Sequence, residues 1–80
     1  MRSMRIFVGN LNVRTTATHV SNLFLQFGKV LSVRVIRAGM AFVEMEKKEG
    51  MIAIRELDGL NFMNHYLDID EAGPAGQNIR

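Results

Sequence analysis

An 80-residue chain buries only about 60 to 65% of the surface its unfolded form exposes, so one domain with one modest core is expected. Hydrophobic residues make up 48% and charged residues 22%, a balance that excludes a disordered or fibrous chain. A net charge of +2 excludes nucleic-acid binding by bulk charge, and the lack of Cys excludes disulfides, thiolate zinc sites and cysteine nucleophiles.

No apolar run approaches the roughly 18 residues of a membrane span, and the opening M-R-S-M-R-I has no hydrophobic signal region. A soluble, intracellular protein is expected, in cytoplasm or nucleus. Residues 1–4 read as an N-terminal extension. Arg5 to Gly9 then alternates polar and apolar, which predicts a strand with Ile6 and Val8 inward and Arg5 and Phe7 outward. Thr16 suits a helix N-cap, and Val20, Leu23, Phe24 and Phe27 recur at helical spacing, predicting a helix to about Phe27 with Gly28 as its left-handed stop. His19, in the first turn, is expected to face solvent.

Val30 to Ile36 is rich in branched residues and predicts a second strand, with Val33 and Val35 on one face and Arg34 and Ile36 on the other. Arg37, Ala38 and Gly39 suit a tight hairpin with a bulge, so Met40 to Met45 should pair antiparallel with that strand. Its inward residues would be Ala41, Val43 and Met45, with Met40, Phe42 and Glu44 outward. Met51, Ile54 and Leu57, with Ala53 beside them, predict a helix from Lys47 to Leu57 that Asp58-Gly59 ends. Gly50 costs this helix about 1 kcal/mol relative to Ala, so it marks close packing on the sheet. Leu60 to Asn64 reads as a loop anchored by Phe62, and Tyr66 to Asp70 as a last strand with Leu67 and Ile69 inward. Residues 73–80 have no period and read as a flexible C-terminal tail.

The order βαββαβ predicts an α+β, ferredoxin-like sandwich: a four-stranded antiparallel sheet with two helices on one face and the other face open. Split βαβ topology would set Phe7 beside Phe42 at the centre of that open face. Exposed rings there are expensive unless something stacks on them, and base stacking is worth about 1 to 3 kcal/mol per base. Single-stranded nucleic acid is the natural ligand, with Arg5, Arg34 and Arg37 placed to meet phosphates. Asp68 and Asp70 would repel a passing phosphate or neutralise Arg5.

From Arg5 to Ala72 the chain resembles the RNA recognition motif family. I-F-V-G-N-L, Ile6 to Leu11, matches the shorter of its two signature motifs, with Phe7 in a base-stacking slot. A-G-M-A-F-V-E-M, Ala38 to Met45, is similar to the longer one in degenerate form: Gly39, Ala41, Phe42 and Val43 fit, and Phe42 takes the second stacking slot. Ala38 replaces a basic residue, Met40 an aromatic ring and Met45 a buried aromatic. L-F-L-Q-F-G-K-V at Leu23, A-I-R-E-L-D-G at Ala53 and L-D-I-D-E-A at Leu67 match in order and spacing. The resemblance implies a monomeric, non-enzymatic domain that holds two or three unpaired nucleotides of RNA, with single-stranded DNA as a second ligand. Phe7 and Phe42 would stack, Met40 would touch a sugar or base less tightly than a ring, and Asn10 or Asn12 would bond a base edge or sugar.

Enzyme readings fail on residues. Acylphosphatase-like enzymes of this order need a glycine-rich arginine loop and metallochaperones a C-x-x-C pair, and neither is present. Asp68 and Asp70 alone make no metal site, and no cofactor is implied. The rival is a module of the U2AF-homology type that binds protein instead of RNA. Such modules carry an Arg-x-Phe loop and an acidic first helix; here the loop is Leu60-Asn61-Phe62 and Ala17 to Phe27 is uncharged. That uncharged helix face, with Leu25 and with Ile52 of the second helix, is the expected surface for any protein partner.

Overall fold

The computed structural model describes residues 2–37 and 39–73. Strand β1 (Ser3–Gly9) leads to helix α1 (Ala17–Leu25), β2 (Val30–Arg37), β3 (Met40–Glu46), α2 (Lys47–Leu57), a short pair β4 (Asn61–Phe62) and β5 (His65–Tyr66), and β6 (Asp68–Ala72). The main sheet has the order β2-β3-β1-β6, antiparallel at each pairing. This is the expected split βαβ arrangement, with the first and third strands at the centre.

Alternation within β1 and β3 sends one residue in two into the core. Ile6 and Val8 of β1 and Ala41, Val43 and Met45 of β3 are fully buried, and Ile69 of β6 is nearly so. Val20 and Phe24 of α1 and Ala53 and Leu57 of α2 close over them. Gly50 permits that approach: a Cβ there would lie 2.6 Å from Met4 Sδ and 2.9 Å from Met4 Cγ. Met4 and Ser3 therefore belong to β1, not to an extension, and Met4 is a core residue.

Several expectations change. Helix α1 stops at Leu25, and Gly28 is not left-handed; among the described glycines only Gly39 and Gly59 have positive φ. At Gly28 the constraint is instead the Glu49 side chain, which occupies the place of a Cβ. Met51 lies outside, 47% exposed, because the Gly50, Ala53 and Leu57 stripe meets the sheet. Val33 and Val35 do share the face of buried Val43 and Ala41, but Val35 is 38% exposed there because β2 is the edge strand of the sheet, and a register shift between Val35 and Arg37 breaks the alternation at Ile36. The predicted Leu60–Asn64 loop is a hairpin, its Met63 and Asn64 at φ 53° and 69° as a two-residue primed turn requires. Phe62 packs against the core as anticipated. Ala38 and residues 74–80 of the expected tail lie outside the described residues.

His19 does more than face solvent. Its Nδ1 accepts from the Thr16 backbone N–H at 3.1 Å while Thr16 Oγ1 accepts from the His19 N–H at 3.2 Å, a reciprocal cap in which His takes the place usual for Glu or Gln.

Candidate functional site

Directly paired residues of antiparallel strands share a face, so the register turns the open face into rows that cross the sheet. The central row is Arg34, Phe42, Phe7 and Asp70, contributed by β2, β3, β1 and β6. Above it lie Arg37, Met40, Gly9 and Asp68; below it lie Ser32, Glu44, Arg5 and Ala72. One edge is basic and the other acidic, with the aromatic pair between them.

The Phe7 and Phe42 ring centroids are 5.8 Å apart with planes tilted by 60°, within the range of edge-to-face pairs. Gly9 shapes this geometry. A Cβ on it would lie 2.8 Å from Phe7 Cε2 and 2.9 Å from Phe7 Cζ, so the ring lies over the bare backbone two residues along its own strand. The guanidinium of Arg5 sits 4.6 Å from the centroid of Phe42, a cation–π contact worth about 0.5 to 1 kcal/mol at an exposed site. The expected alternative, Arg5 neutralised by Asp68 or Asp70, does not form. Among the described residues the ion pair within reach is Arg55 with Glu56, far out on α2, and Asp70 Oδ1 accepts from the Glu71 N–H instead.

The two loop asparagines are largely committed. Asn10, at φ 60°, donates from Nδ2 to the Tyr66 carbonyl at 2.8 Å, and its own carbonyl meets His65 Nδ1 at 3.0 Å. Asn12 donates to the Met63 carbonyl at 3.0 Å and accepts from the Arg14 N–H at 2.9 Å. Asn12 thus uses one end of its amide to hold the β1–α1 loop to the β4–β5 hairpin and the other to fix the loop on itself. Asn10 keeps its side-chain oxygen. No local pattern in the sequence announces these links, since the hairpin itself depends on a left-handed Met63.

Glu44 is the residue that sequence reasoning left without a role. Its Oε2 accepts from Ser3 Oγ at 3.1 Å and its Oε1 from Ser32 Oγ at 3.4 Å. Hydroxyls from both neighbouring strands hold the carboxylate. It borders a groove of about 580 Å³ on the open face, whose wall includes Arg2, Arg5, Arg34, Phe42 and Lys47.

An α+β sheet with a central aromatic pair, one basic edge and, among the described residues, no element packed on that face defines a class of surface-binding module. The family model for the RNA recognition motif matches residues 6–68. The chain belongs to the RNA recognition motif family, which is not a family of enzymes. It is 37% identical over 79 residues to the putative RNA-binding protein RbpF of Nostoc sp., with 89% of this chain and 75% of that protein covered. Over 60 residues it is 42% identical to the serine/arginine-rich splicing factor RSZ23 of Oryza sativa subsp. japonica, covering 71% of this chain but only 30% of that longer protein. The crystal structure of RNA Binding Protein PG1 superposes with a TM-score of 0.83 at 39% identity, covering 86% of this chain and 93% of that one. No helix among the described residues is long and apolar enough to cross a membrane.

Proposed function

We propose that this domain binds single-stranded RNA on the open face of its sheet, stacking one base on Phe7 and one on Phe42. The observation that carries the reading is the aromatic pair itself, in register at the sheet centre and half-exposed, with Arg5 over the Phe42 ring. Relatives named as RNA-binding proteins support it. Arg34 and Arg37 supply the cations for the phosphate backbone, which runs along the β2 edge because Asp68 and Asp70 disfavour it on the other. Arg5 yields the ring to a base, and Asn10 offers its remaining oxygen to the strand. Met40 contributes adaptable contact in place of a ring, so affinity is modest. Single-stranded DNA binds as well, since stacking does not read the 2′-hydroxyl. The domain acts as a monomer, within the cell and without catalysis.

A titration of 15N-labelled protein with random-sequence RNA hexamers tests this. Amide shifts should concentrate at Phe7, Met40 and Phe42. Shifts confined to α1 and α2, where Leu25, Met51 and Ile52 are exposed, would sink it in favour of the protein-binding reading.

A further inference from the structure

We infer that Glu44 reads the base stacked on Phe42 and selects guanine; this rests on the RNA-binding reading of the sheet. The hydroxyls of Ser3 and Ser32 each take one lone pair on a different oxygen of the carboxylate. Each oxygen therefore keeps an acceptor position, and the two together form a fixed, paired acceptor two residues along β3 from Phe42. Nothing neutralises it: among the described residues no cation lies within ion-pair distance, although Arg5 is its cross-strand partner. Arg5 lies over the Phe42 ring instead.

A paired acceptor beside a stacking ring discriminates among bases by their edges. Guanine presents two adjacent donors, N1–H and the 2-amino group. Adenine and cytosine present one exocyclic donor beside a ring-nitrogen acceptor, and uracil a single N–H between two carbonyls. Only guanine satisfies both oxygens of Glu44; each of the others sets an acceptor against the carboxylate. Guanine also carries O6 next to N1–H, an acceptor suited to an arginine, and Arg5 and Arg34 line the same groove. Phosphate is the wrong ligand for this part of the face, because its charge repels the carboxylate.

The test measures fluorescence anisotropy with labelled UUNUU pentanucleotides in which N is guanine, inosine, adenine, cytosine or uracil. Guanine should bind about tenfold more tightly than adenine, cytosine or uracil. Inosine, which lacks the 2-amino group, should lose most of that advantage. In Glu44→Gln, which sets an amide donor against the guanine donors, the ratio of guanine to uracil affinity should fall toward one, with circular dichroism verifying the fold. Equal binding of all five oligonucleotides, or a guanine advantage that survives Glu44→Gln, overturns the assignment and leaves RNA binding by the sheet in place. Binding of none of them overturns the reading of the sheet, and this inference with it.

Discussion

The two faces of the central sheet are made by alternate residues of the same strands, yet they answer to different physics. Inward, Ile6, Val8, Ala41, Val43 and Met45 have no exposed surface, and their contribution is burial, worth about 25 cal/mol per Å² of apolar area. Outward, Arg34, Phe42, Phe7 and Asp70 form a row that adds little to a core and much to a surface. Neighbouring residues thus carry separable properties: stability on one face and, on the proposed reading, recognition on the other.

The most forceful way to sharpen that contrast is on the covered side. Phe24→Ala empties the largest fully buried side chain and should cost about 3 to 5 kcal/mol in urea denaturation. Phe42→Ala should cost far less stability than Phe24→Ala, about 1 kcal/mol for the lost Phe7 and Arg5 contacts, while weakening RNA binding by about 1 to 3 kcal/mol, measured by anisotropy. Unchanged affinity in that variant would break the division between faces. Met40→Phe restores a ring and should tighten binding by up to about 1 kcal/mol; absence of any gain places position 40 off the RNA path. The smallest effect is expected from Asp68→Asn with Asp70→Asn, a gain of about twofold at low salt that fades as salt screens it.

Much of the fold was legible because a period of two is a strong signal when one face is buried. Ile6 and Val8, Ala41 to Met45, and Leu67 with Ile69 followed it, and α2 has the predicted bounds Lys47–Leu57. Met51 misled because apolar spacing alone does not say which stripe meets the sheet; the glycine at position 50 does, through its contact with Met4. The β4–β5 hairpin was hidden because Met63 is an unusual residue for positive φ, held there by bonds from Asn12 and Thr15 that come from distant parts of the chain. At the site, the adjacency of Phe7 and Phe42 followed from topology. The bracing of Glu44 by Ser3 and Ser32 did not, since it joins three strands and depends on register across two ladders.

Arg5 over Phe42 makes ligand binding an exchange rather than an addition. If a base stacks on that ring as proposed, it must displace the guanidinium, and its net gain is the stacking energy less the cation–π energy surrendered, about 0.5 to 1 kcal/mol. On the proposed reading the side chain would be a placeholder, covering part of an apolar ring until a base takes its place.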